Sequence, residues 1–95
     1  MLKSTATDPV LLLRLYVSGD APNSLSAIAN ARLICETHFP AAYKIEIVDM
    51  LLHPLRAMAD GIVVTPTLLR LTPLPAKRAV GNLSNSSQVL QLLAS

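Results

Sequence analysis

Residues Val10 to Val17 read VLLLRLYV, apolar at nearly every position, and the run stops at Ser18-Gly19-Asp20. A strand with one wet face alternates apolar and polar side chains. A run without that alternation belongs to a strand covered on both faces. Such a strand lies inside a sheet with a layer on each side, so this chain must find helices for two faces. Its 95 residues provide one domain in which to do so. Arg14 interrupts the run. It sits either near the strand edge with its guanidinium in water or beside an acid.

The next segments supply the first layer. Pro22-Asn23-Ser24 is a helix start, with Asn23 or Ser24 predicted as the cap. Leu25, Ile28, Arg32, Cys35 and Phe39 then recur at helical spacing, and Ala29, Leu33 and Ile34 widen the stripe. The helix should end before Pro40. Tyr43 to Asp49 alternates, with Tyr43, Ile45 and Ile47 on one face and Lys44 and Glu46 on the other, as in a strand with one partly wet face. Strand, helix and strand form a βαβ unit with parallel strands.

The second half has weaker signals. Pro54 and Gly61 bracket a short helix. Leu68 to Leu71 is a predicted strand after Thr65-Pro66-Thr67, Pro73 and Pro75 frame a turn, and Lys77 to Val80 is a short edge strand closed by Gly81-Asn82. Asn85, with Gln88 three residues on, caps a final helix whose apolar stripe is Val89, Leu92 and Leu93. The order is βαβ followed by αββα, the thioredoxin arrangement, in an α/β domain over residues 9–95 after a loose polar arm at 1–8. That arrangement places a cis-proline at Pro66.

The chemistry of a redox thioredoxin is missing. It needs a thiolate at the start of the first helix, where this chain has Gly19-Asp20-Ala21-Pro22-Asn23-Ser24. Cys35, the single cysteine, falls on the apolar stripe and reads as a packed hydrophobe. One cysteine also excludes a disulfide framework and a zinc site built on several cysteines. His38 and His53 lie in different segments, without the three or four convergent ligands that a metal needs. Asp20 fits a turn, and Asp49 ends a strand where it can cap the next turn. No GxSxG elbow, GxGxxG loop or P-loop is present. Catalytic, cofactor and metal residues are therefore expected to be none. A thioredoxin-fold enzyme of glutathione-transferase type, with Ser18 or Ser24 in place of the thiol, is the alternative.

Composition agrees with a binding module. The chain is 52% hydrophobic and 15% charged, which excludes disorder and points to an apolar surface that takes a partner. Aromatics make up 3% with no Trp, so stacking platforms for single-stranded nucleic acid are not expected. No run is long enough for a membrane span, and a cytoplasmic location is expected. All six acids lie in residues 1–60, whereas residues 61–95 hold Arg70, Lys77 and Arg78 and no acid. That basic third could meet an acidic protein surface or a phosphate.

RLYVSGDAPNS (Arg14 to Ser24), IEIVDMLLHP (Ile45 to Pro54), VVTPTL (Val63 to Leu68) and RAVGNLSN (Arg78 to Asn85), in this order and spacing, resemble the circadian clock protein KaiB family. The resemblance implies a non-enzymatic regulator without a cofactor. Its members bind the ATPase ring of KaiC, sequester KaiA, and compete with the KaiB-like sensor domain of the kinase SasA. It also implies two folds: a tetrameric ground state ordered βαββααβ and a monomeric, KaiC-binding, thioredoxin-like state ordered βαβαββα. Charge and family analogy together assign partner contact to the Leu51 to Gly61 region with Arg56, Lys77 and Arg78. Pro66, Pro73, Pro75, Gly81 and Asn82 belong to the switching segment. Departures favour the thioredoxin-like monomer over the tetramer. Pro73-Leu74-Pro75 replaces three consecutive prolines, Asn82 stands where an aspartate is usual, and Ser95 follows the last helix without an acidic tail.

Overall fold

The strand predicted to be covered on both faces is the second in the sheet, flanked on either side. The computed structural model describes residues 10–95, so the polar arm expected at 1–8 lies outside the described residues. The elements are β1 (Leu11–Val17), α1 (Pro22–His38), β2 (Tyr43–Asp49), α2 (Pro54–Ala59), β3 (Thr67–Thr72), β4 (Lys77–Val80) and α3 (Ser86–Ala94). This is the thioredoxin-like order βαβαββα; the alternative order βαββααβ, with its extended C-terminal segment, is not the arrangement of this structure. The sheet runs β2-β1-β3-β4. β1 is parallel to β2 and antiparallel to β3, and β4 is antiparallel to β3.

Each face of the sheet has its own core. Leu11, Leu13, Leu15 and Val17 join Leu68 against Ala27, Ala31, Ile34 and Cys35 of α1 and Val89 and Leu93 of α3. On the other face Tyr16, Val48 and Leu69 meet Ala57 of α2 and Ile62. Six residues of helix cover far less sheet than α1 and α3 do, so the second core is small. Asn85 caps α3 as expected, its Oδ1 accepting from the backbone N–H of Gln88 at 3.1 Å.

Helix α1 departs from expectation in two ways. Its cap position is Ala21, with no side-chain bond, because Pro22 takes the first helical position. Asn23 and Ser24 therefore lie inside the helix, and Ser24 Oγ accepts instead from the Ser18 N–H at 3.0 Å. The buried face is Ser24, Ala27, Ala31, Ile34 and Cys35, whereas Leu25 and Leu33, both placed in the predicted stripe, are exposed. Apolar residues occur all round this helix, so periodicity did not single out one face. The face with small residues lets the helix axis approach the sheet closely, and that face packs inward.

The Thr65-Pro66, Thr72-Pro73 and Leu74-Pro75 peptide bonds are cis. Pro66 is buried, and Pro73 and Pro75 are exposed. No helix among the described residues is long and apolar enough to cross a membrane.

Candidate functional site

The connection from β2 through α2 to β3 carries six of the eleven exposed large hydrophobic side chains among the described residues. Leu51, Leu52, Leu55, Met58, Val63 and Val64 are all exposed, Leu55 at 76% and Met58 at 73%. Leu55 and Met58 stand three residues apart and share one face of α2. The opposite face puts Ala57 into the small core. A six-residue helix cannot hold itself together in water, so this surface depends on what fixes α2 to the sheet.

That anchor is a network of charges. Arg14, on the α2 face of β1, donates from Nε to Glu46 at 2.8 Å and from Nη1 to Asp60 at 3.0 Å. Glu46, its register partner on β2, also accepts two bonds from Arg56 of α2, both 2.8 Å. Tyr16 donates to Asp60 Oδ2 at 2.6 Å, and its Oη lies 3.0 Å from the Arg56 carbonyl oxygen. β1, β2 and both ends of α2 are thereby joined. Of the two readings of Arg14, pairing with an acid is the one realised. Arg56 and then Arg14 hold the Glu46 carboxyl down at about 2. The Tyr16 hydroxyl and then Arg14 lower Asp60. Burial, followed by the hydrogen bond to Asp60, raises the Tyr16 phenol.

The three basic residues assigned to partner contact have different surroundings. Arg56 is exposed but bidentate on Glu46. Arg78 is exposed and donates to the carbonyls of Gly61 at 3.2 Å and Asp60 at 3.0 Å, closing the far end of α2. Both border the apolar surface. Lys77 follows Arg70 in register rather than Arg78, on the other sheet face, and is half-buried. Arg70 is no part of a basic surface: it is 0% exposed. Its place in the apolar alternation of TLLRLT, on the side of Leu68, was the one sequence sign of that.

The place of the missing thiol is occupied by internal hydrogen bonds. Ser18 Oγ and Thr65 Oγ1 are 2.5 Å apart, and Ser24 is buried with its hydroxyl accepting from Ser18 N–H. Both serine hydroxyls are engaged in these internal bonds, Ser18 with Thr65 and Ser24 as an acceptor. Cys35 is buried, and burial, then Glu36, pushes its thiol up to about 11. Asp49 caps the turn after β2, accepting from Leu51 N–H at 2.9 Å and Gly19 N–H at 3.1 Å. Among the described residues no three His, Cys, Asp or Glu side chains cluster as metal ligands would.

The remaining residues of the switching segment form the β4–α3 joint. Gly81 has φ 111° and Leu83 φ 63°, both in the left-handed region that favours glycine. Leu83 is buried in the larger core, which holds it there against its backbone preference. Asn82 between them accepts from Asn30 Nδ2 on its carbonyl at 2.8 Å and from Ser84 N–H on its side chain at 3.0 Å.

Known proteins agree with the fold and name the family. The profile described as the KaiB domain matches residues 14–95. The circadian clock oscillator protein KaiB of Synechococcus sp. (strain CC9311) is 42% identical over 79 residues, 83% of this chain and 66% of that protein, so the chain spans just under two thirds of it. The circadian clock protein KaiB3 of Synechocystis sp. (strain ATCC 27184 / PCC 6803 / Kazusa) is 42% identical over 80 residues, 84% of this chain and 78% of that protein. Among solved structures, the N-terminal domain of Synechococcus elongatus SasA superposes with a TM-score of 0.76 at 22% identity, covering 99% of this chain and 92% of that one. Chloroplastic thioredoxin z superposes with a TM-score of 0.74 at 17% identity, covering 90% and 76%. The two superpositions speak for the thioredoxin-like fold, and the matches along the sequence show that the chain belongs to the KaiB family of circadian clock proteins.

Proposed function

We propose that this chain is a non-enzymatic clock regulator that docks, as a thioredoxin-like monomer, on the ring of a KaiC-type ATPase. The observation that carries the reading is the exposed apolar surface of residues 51–64, held in place by the network of Arg14, Tyr16, Glu46, Arg56 and Asp60. An apolar surface on a rigid support is what a protein partner buries. Arg56 and Arg78 at its border would meet acidic groups on that partner; Lys77, the third basic residue assigned to contact, lies on the opposite face of β4 from Arg78. Family resemblance supplies the partner, and with it competition with a SasA-like kinase and sequestration of KaiA.

Exchange with a tetrameric βαββααβ form belongs to the same proposal, with Pro66, Pro73, Pro75, Gly81 and Asn82 in the segment that would rearrange. Two left-handed residues within three positions at the β4–α3 joint support a hinge there. The thioredoxin-like monomer is the favoured form.

Calorimetric titration against a KaiC-type ring tests the docking. Arg78→Glu should weaken binding at least tenfold with an unchanged circular dichroism spectrum, a loss in the range of one charged interface contact. Unaltered affinity would remove this surface from the proposal. Light scattering after size exclusion tests the monomer, which requires a mass of 10.2 kDa. Four times that value would establish the tetramer instead.

A further inference from the structure

Arg70 is the largest fully buried side chain among the described residues, and no Asp or Glu side chain is among its hydrogen-bond partners. Its Nη1 donates to the carbonyl oxygens of Leu92 at 3.2 Å and Leu93 at 3.1 Å and to the main-chain oxygen of Ser95, the residue after α3, at 2.8 Å. Nη2 donates to the Pro75 carbonyl at 2.7 Å. Nε is buried without a partner. One guanidinium from the middle of β3 thus gathers the loop before β4 and the last turn of α3.

A buried cation is unfavourable unless dipoles or charges surround it. Here the dipoles are the carbonyls at the end of α3, which have no partners within the helix and carry its partial negative charge. Their convergence requires helical backbone. In a helix the last carbonyls all point toward the C-terminal end. In a strand neighbouring carbonyls, such as those of Leu92 and Leu93, point to opposite sides, so one guanidinium could not collect them. We propose that Arg70 is a conformational latch: its buried Nη1 gathers the main-chain oxygens of Leu92, Leu93 and Ser95 only while residues 86–94 are helical, so it holds the C-terminal segment in that form. Its effect on choice between folds rests on the reading above that this segment has a second arrangement.

The latch and that reading separate by experiment. In Arg70→Met, which keeps the length and apolar stem, α3 amides should exchange with deuterium roughly tenfold to a hundredfold faster than in the unmodified chain. The α1 amides should keep their protection. Arg70→Lys, which keeps the charge but not the fork, should fall between the two. Equal α3 protection in Arg70→Met and the unmodified chain would overturn the latch. So would an equal loss in α1 and α3, since Arg70 would then only fill the core. Light scattering on Arg70→Met reads the second arrangement. A tetramer joins the latch to fold choice, whereas a monomer with a loosened α3 leaves the latch standing and removes its link to fold switching.

Discussion

Tyr16, in the middle of the sheet, donates its phenolic proton to Asp60 just beyond the end of α2, with 2.6 Å between Oη and Oδ2. The bond crosses from a central strand to a helix too short to persist alone. It therefore connects the rigid part of the fold to the surface offered for docking. Tyr16→Phe keeps the ring in its core and removes only the hydroxyl. Stability should fall by about 1–2 kcal/mol, because the hydroxyl bonds a charged group in a buried setting. Urea denaturation gives the value, and hydrogen exchange should place the first loosening in α2. A variant as stable as the parent would show that Arg14 alone holds Asp60.

The same network fixes the response to acid. Glu46 titrates at about 2 instead of about 4.5, and Asp60 is shifted in the same direction. A carboxylate with a depressed folded pKa adds stability that is complete above its unfolded value and is lost as pH falls toward the folded one. Stability should thus decline between about 4.5 and about 2. The decline should be shallow, because the Glu46 side chain is 43% exposed and water screens such pairs to less than about 1 kcal/mol. Glu46→Gln should flatten it, measured by urea midpoints across that window. A parallel decline in the variant would assign the acid response elsewhere.

The inward face of α1 is a third test. Ala31 lies against the sheet at 1% exposure, whereas Leu33 is 66% exposed. Ala31→Leu should overpack that contact and lower stability by about 1–3 kcal/mol. Leu33→Ala should stay within about 0.5 kcal/mol of the parent. The opposite ranking in thermal or chemical unfolding would mean that the stripe first read from the sequence is the buried one.

That reversal shows where legibility ended. β1 was readable because eight residues with a single charge have only one place in a sheet, and Asn85 and Gln88 marked α3 by local chemistry. Pro54 and Gly61 bounded α2 for the same reason. The face of α1 was hidden because Leu25 and Ala27 are both apolar, and only the distance between helix and sheet decides which one is covered. Arg70 was counted as surface charge, since nothing local says that carbonyls twenty residues away will converge on it. The surface proposed for docking was expected as a stretch, Leu51 to Gly61, but not as a surface. Its anchor joins Arg14, Glu46 and Asp60, which only the register of β1 with β2 and the packing of α2 bring together.

Cys35 offers a probe of how tightly α1 is closed. The thiol is 0% exposed, and burial raises it to about 11, so thiolate is scarce as well as inaccessible at neutral pH. A disulfide reagent such as Ellman's should label the folded chain roughly a hundredfold more slowly than the urea-unfolded chain. Comparable rates would mean that α1 opens readily and that the larger core is not the stable part of the fold.

The last prediction concerns the surface itself. Leu55 and Met58 are 76% and 73% exposed, so changing both to Ser removes little folded-state packing. Stability should move by no more than about 0.5 kcal/mol. Binding is different, since a few central apolar residues carry most of the energy of a protein interface. The double variant should lose at least ~10-fold in affinity for a KaiC-type ring by calorimetry, in line with the loss of two such anchors. Leu33→Ser is the control: also apolar and 66% exposed, but on α1, across the sheet from α2. It should bind as the parent does. If the two variants lose affinity alike, general surface hydrophobicity drives the association. If neither does, the ring meets some other part of the molecule. Only the asymmetry between them ties docking to the helix that Tyr16 and Arg14 hold in place.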